Sequence, residues 1–185
     1  MDNVIFLDFD GVINNIGSRE FITLPLVTAN GNVWYGTYWA SQCIAPFLKL
    51  MKWCNDNNIS LVISSTWRIG QTTEVFNNYF DTYFRRENKV PRVVGLTDRD
   101  PNNNRGKEIL DFVKKHNINN YMVIDDDIDD IVELIADERV VKVNVNTGLV
   151  DKDVDKIQYM WYNNINKQQR SDILWKWTEV YCKEL

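Results

Sequence analysis

Three short apolar runs constrain this chain most. Residues 4–7 (Val-Ile-Phe-Leu), 59–63 (Ile-Ser-Leu-Val-Ile) and 121–124 (Tyr-Met-Val-Ile) are too short for helices and too apolar for solvated loops. Each stops abruptly in a polar cluster: Asp8-Phe9-Asp10-Gly11, Ser64-Ser65-Thr66 and Asp125-Asp126-Asp127. Buried strands of this kind, alternating with helix-length amphipathic segments, specify a parallel sheet with helices on both faces. In such sheets ligands bind beyond the C-terminal ends of the strands. All three polar clusters lie at those ends, so they converge on one rim.

The intervening segments fit that plan. Residues 44–58 carry apolar side chains at Phe47, Leu50, Met51 and Cys54, a helical spacing with Pro46 near its start and Asn55–Asn58 as its stop. A helix with an aromatic face (Phe76, Tyr79, Phe80, Tyr83) is expected over 71–87, and a short strand over 92–96. Residues 98–104 (DRDPNNN) read as a loop. Residues 105–117 form an amphipathic helix with Ile109, Phe112 and Val113 inward. A helix over 129–136, a strand over 140–145 and a tryptophan-rich helical region from 153 to the end (Trp161, Trp175, Trp177) complete the expectation. Residues 14–43 stand apart. Around Ala29-Asn30-Gly31-Asn32 they place β-branched and aromatic residues, and an Asn-Gly between such runs marks a hairpin, here over 24–28 and 33–39.

Composition narrows the function. At 185 residues, 44% hydrophobic and 25% charged, the chain suits one globular domain, with 14–43 as a small flap and 155–185 as a helical extension. A net charge of −5 and a pI near 4.9 argue against a non-specific grip on nucleic acid, which needs a basic stripe. No apolar run approaches a membrane span and no leader is expected at the start, so a cytoplasmic protein is predicted. Cys43, Cys54 and Cys182 have unrelated spacings and fit neither a disulfide framework nor a zinc site. Abundant asparagine and scarce alanine suggest an AT-rich genome such as many phages carry.

The decisive signal is the order of the clusters. A carboxylate pair comes first, a hydroxyl cluster second, a basic pair opening a helix (Arg105, Lys107) third, and a second carboxylate cluster fourth. In this order, FLDFDGV, LVISS, RGKEI and MVIDDD resemble the four motifs of the haloacid dehalogenase-like (HAD) superfamily of phosphotransferases. SSTWR, RGKEI, VIDDD and NTGLVDKDV together resemble the branch named for Swiss-army-knife RNA repair proteins. The resemblance implies a three-layer, Rossmann-like α/β core with a minimal cap after the first strand.

It also implies roles. Asp8 would ligate Mg²⁺ and attack phosphorus, giving an aspartyl-phosphate. Asp10 would protonate the leaving oxygen, and its backbone carbonyl would be a further metal ligand. Asp126 is the first choice for the remaining metal ligand, with Asp125 beside it, and Asp127 is expected to cap the next helix. Ser64 would hydrogen-bond the phosphoryl group, with Ser65 the alternative. Arg105 or Lys107 would neutralise the developing charge; spacing does not choose between them. Gly11 lets the backbone turn beside the phosphate, and Arg68 contacts substrate phosphate or pairs with an acid. A second aspartate at position 10 indicates phosphate-ester hydrolysis rather than dehalogenation.

Other sites fail on their patterns. Calcium loops beginning at Asp125 or Asp98 lack the required glycine, His116 is a solvated helix end, and there is no phosphate-binding GxxxxGK. The expected substrate is a small phosphorylated molecule, a nucleotide or a short nucleic-acid end, with aromatics of the flap available to stack on a base. Transfer to another acceptor, and a binding protein that keeps the fold without turnover, remain alternatives. The C-terminal tryptophans belong to the core or to a self-association face, and the second reading would make a homodimer.

Overall fold

A computed structural model describes residues 2–28, 30–84 and 91–164, the side chains of 35–37 excepted. The chain runs β1 (Asn3–Leu7), β2 (Phe21–Val27), β3 (Val33–Ala40), α1 (Ser41–Asp56), β4 (Ser60–Ile63), α2 (Thr73–Tyr83), β5 (Val93–Leu96), α3 (Arg105–His116), β6 (Asn120–Asp125), α4 (Asp129–Val132) and β7 (Val140–Lys142). Residues 151–164 form a last helix, α5. Single 3₁₀ turns lie at Thr66–Arg68 and Asp137–Arg139.

Five strands make one parallel sheet in the order β5-β4-β1-β6-β7. Strand alternation sorts their side chains onto two faces. Ile5, Leu7, Leu61, Ile63, Met122, Ile124 and Val141 join the core shared with α1, α2 and α5. Val4, Phe6, Val62, Val123 and Val140 join a smaller core closed by Ile109 and Phe112 of α3 and Ile131 of α4. The central strand β1 is thus apolar throughout because both of its faces are covered.

Register brings the rim together. Leu7 pairs with Ile63 on one side and Ile124 on the other. The next residues, Asp8, Ser64 and Asp125, therefore lie level on three neighbouring strands. The ladder runs one bond further at each junction, through Asp8 N–H to Ile124 O (3.1 Å) and Ser64 N–H to Leu7 O (3.1 Å).

β2 and β3 form the expected antiparallel hairpin, longer than the sequence suggested. Its turn uses Gly31 at φ 77°, and its base is tied to the core by Ala40 N–H to Ile13 O and Ser41 N–H to Glu20 O. Leu26 and Trp39 point inward and are fully buried, Trp39 against Phe9 and Phe47. Phe21, Trp34 and Tyr38 remain about half exposed.

Two expectations are corrected. The helix predicted over 129–136 is a single turn, because Ile128 at its N-cap offers no capping side chain and the chain turns away after Val132. The strand predicted over 140–145 ends at Lys142. In α5, Val154, Ile157 and Trp161 are buried, and Trp161 packs edge-on against Trp53 of α1. Trp175 and Trp177 lie outside the described residues. Among those residues no helix is long and apolar enough to cross a membrane.

Candidate active site

Asp8 follows β1 directly and is buried, while Asp10 faces solvent. Between them Phe9 turns into the core, and its carbonyl accepts from the N–H groups of Val12, Ile13 and Asn14. Three donors on one oxygen wind residues 9–14 tightly enough to present both carboxylates to the same cavity. That cavity, of 570 Å³, is lined by seven aspartates and a single basic residue, Arg105. It exceeds what a phosphate needs and leaves room for a leaving group of nucleotide size.

Asp8, Asp125 and Asp126 each offer a carboxylate oxygen, all within 4.8 Å of one another. Hard oxygen donors in this number suit a divalent cation of the Mg²⁺ type. The site's electrostatics fit as well. Burial pushes Asp8 above the usual carboxylate range, against the opposing pull of Arg105 and a hydrogen bond from Ser65. Burial, and then the neighbouring Asp8, push Asp125 up to about 8. Asp126 is also raised, mainly by burial. Carboxylates that repel one another in a dry site are those that gain most from a shared cation.

Gly11 is fixed by Asp126. Its φ is 77°, and a Cβ there would lie 2.1 Å from Asp126 Cγ. The glycine expected to make way for phosphate thus also makes way for a carboxylate.

The first turn of α3 brings in the positive charge. Asn104 caps the helix by accepting from Lys107 N–H, and Asp130 accepts from Arg105 N–H at 2.5 Å. The Arg105 guanidinium then reaches Asp8 (3.4 Å), Asp125 (3.5 Å) and Glu108 (3.6 Å). Lys107, its rival in sequence, turns outward and pairs with Asp100 at 2.5 Å. Two residues along a helix are about 200° apart, so only one of the pair faces the rim.

A family profile for the HAD domain in Swiss Army Knife RNA repair proteins matches residues 4–154. The chain belongs to that family. No curated protein matches it. The crystal structure of a hypothetical protein from Xanthomonas campestris is similar at a TM-score of 0.44 and 10% identity, covering 91% of this chain and 88% of that one.

Within this HAD domain several expected residues sit differently from their sequence reading. Ser64 Oγ is buried and has no hydrogen-bond partner among the described residues, whereas the Ser65 hydroxyl lies where it favours the charged form of Asp8. Ser65 also caps the 3₁₀ turn by accepting from Trp67 N–H. Thr66, which was not singled out, lines the cavity. Of the two readings of Arg68, pairing with an acid is the contact present: it is 6% exposed, donates to Thr97 O, Ser64 O and Ser65 O, and pairs with Glu108 at 2.6 Å. Burial pulls its guanidinium down and Glu108 opposes that. Asp127 caps no helix; its N–H instead donates to Asp125 Oδ1. Two contacts on Asp10 were not foreseen, from Asn14 Nδ2 to Oδ1 and from Trp67 Nε1 to Oδ2, each 3.0 Å. A polar residue four positions on in a turn and an indole beside a serine cluster carry no sequence signal for such contacts.

Proposed function

We propose that this HAD domain is a Mg²⁺-dependent phosphomonoester hydrolase working through an aspartyl-phosphate, with a nucleotide or nucleic-acid terminal phosphate as substrate. The observation that carries the reading is the pairing of Asp8, buried beside Arg105 and within ligand reach of Asp125 and Asp126, with Asp10, separately held at the cavity mouth. A divalent cation held by Asp8, Asp125 and Asp126 would offset the charge with which the aspartates otherwise repel a phosphate dianion.

The chain's own residues divide the rest. An Asp8 oxygen attacks phosphorus as the bond to the leaving oxygen breaks, and Asp10 delivers its proton to that oxygen. The products are an alcohol and phospho-Asp8. Asp10, now a carboxylate, takes a proton from water, which attacks phosphorus and releases inorganic phosphate. Asp8 is regenerated. Arg105 stabilises charge on the phosphoryl oxygens, Ser65 orients Asp8, and the Thr66 hydroxyl meets the phosphoryl group. Support for a nucleic-acid substrate comes from the family, from the cavity's volume and from the half-exposed Trp34 of the hairpin as a surface for a base.

The test is hydrolysis of 4-nitrophenyl phosphate with Mg²⁺ and with EDTA, by the wild type and Asp8→Asn, followed by 3′- and 5′-phosphorylated oligonucleotides. Turnover should require the metal and fall at least about a thousandfold in Asp8→Asn. Full activity in that variant, or in EDTA, would sink the proposal.

A further inference from the structure

Asp10 is an exposed aspartate, and an exposed carboxylate ordinarily samples several rotamers. Here both of its oxygens are taken, by donors from two different segments. Asn14 Nδ2 holds Oδ1 and Trp67 Nε1 holds Oδ2, both at 3.0 Å. We infer that Asn14 and Trp67 are positioning residues that aim Asp10 at the leaving-group oxygen, and so fit the site to esters of poor, aliphatic leaving groups such as sugar hydroxyls. The inference rests on the proposed role of Asp10 as proton donor.

The two donors are themselves immobilised. The Trp67 indole stacks on Phe9 with centroids 4.9 Å apart and 25° between planes. Phe9 is fully buried and packed against Trp39, Phe76 and Phe80. The Trp67 backbone is anchored by the Ser65 cap. Asn14 belongs to the turn wound on the Phe9 carbonyl, so Phe9 organises both arms. Asn14 Oδ1 is left buried without a partner among the described residues, so the amide's donor is committed to Asp10 while its acceptor goes unused.

The chemistry of the donors matters. An indole N–H can only donate, so it fixes an acceptor lone pair on Oδ2. The Asn14 amide does the same on Oδ1. In the acid form the proton must therefore sit on a remaining lone pair of a carboxyl group whose plane is already set. Departure of an aryl oxygen needs little help from a proton, whereas departure of an alkoxide needs it fully. Loss of aim should consequently harm alkyl esters and largely spare aryl ones.

The experiment compares kcat/KM, which reports only the steps up to phospho-Asp8 and release of the leaving group, for a series running from 4-nitrophenyl phosphate through phenyl phosphate to an alkyl phosphate. The proteins are wild type, Trp67→Phe, Asn14→Ala and Asp10→Asn. Trp67→Phe keeps a ring on Phe9 and removes only the donor. In both positioning variants the loss should grow along the series, from a few-fold on the nitrophenyl ester to about tenfold or more on the alkyl ester. The trend should parallel that of Asp10→Asn but be smaller. A loss of equal size on every ester is what a merely structural tryptophan would give, and it would overturn the inference while leaving a graded Asp10→Asn profile intact. Asn14 acts on the other oxygen from another segment, so its profile decides the matter if Trp67→Phe fails to fold. A flat profile in Asp10→Asn, or an inactive wild type, would remove the proposed role of Asp10 and the inference with it.

Discussion

The loop after β1 carries two aspartates to the rim, and the end of β6 with its following loop carries three, yet the two are built on opposite principles. After β1, Asp10 has donors of its own, Asn14 and Trp67, one on each oxygen, while Asp8 depends on Arg105. After β6, Asp125 receives one backbone N–H and shares Arg105, while burial and the neighbouring Asp8 work against its charge. At Asp10 the first loop is satisfied by protein and held in a fixed direction. Asp8 and the aspartates at the end of β6 are left under-compensated, as carboxylates awaiting a cation should be. Orientation belongs to Asp10, and unmet charge to Asp8 and its neighbours across the sheet.

That contrast can be broken in several places. The largest effect is expected from Asp125→Asn, in which turnover falls about a thousandfold with loss of the cation, while the metal-free protein gains stability. The sign follows from the raised folded value. The stabilising contribution of protonated Asp125 is fully present below about pH 4 and is lost as pH rises through about 8. Relative to Asp125→Asn, the metal-free wild type should therefore melt at progressively lower temperature from pH 5 to 8, and added Mg²⁺ should close the gap. Thermal melts with and without Mg²⁺ measure this directly; a pH-independent difference would contradict it.

Arg105→Ala removes the one charge shared by both loops, and kcat should fall roughly a hundredfold, with partial recovery in Arg105→Lys. Gly11→Ala places a methyl group where the Asp126 carboxyl lies, in a backbone region unfavourable to alanine. It should weaken Mg²⁺ binding by about tenfold in calorimetry and lower stability by about 1–2 kcal/mol. Lys107→Ala, next to Arg105 in motif but not in space, should change kcat less than about twofold. A large loss there would mean that the two basic residues exchange places during turnover.

The sheet was legible because its strands are buried on both faces and therefore spell themselves as unbroken apolar runs. The carboxylates were legible because they interrupt those runs. What stayed hidden depended on rotation about an axis or on a distant partner. Arg105 and Lys107 are equal in composition, and only the helical phase of α3 separates them. Ser64 and Ser65 differ by one step past a strand end, which reverses the direction of a side chain. Arg68 read equally as a ligand for phosphate or as the partner of an acid, because Glu108 lies forty residues on and carries no label as a buried acid. The contraction of α4 to one turn was equally invisible, since Asp129 and Asp130 look like ordinary helix-start residues while Asp130 in fact caps the neighbouring α3.

Glu108 touches Arg68 and Arg105 with one oxygen and receives the Asp100 N–H on the other. One buried carboxylate thus closes a knot among three stretches of chain that cannot meet until β4, β5 and α3 have docked. The cationic arm of the site therefore stands only where all three are docked together. Loosening any one of them would leave the aspartates of β1 in place while freeing the arginine that answers them.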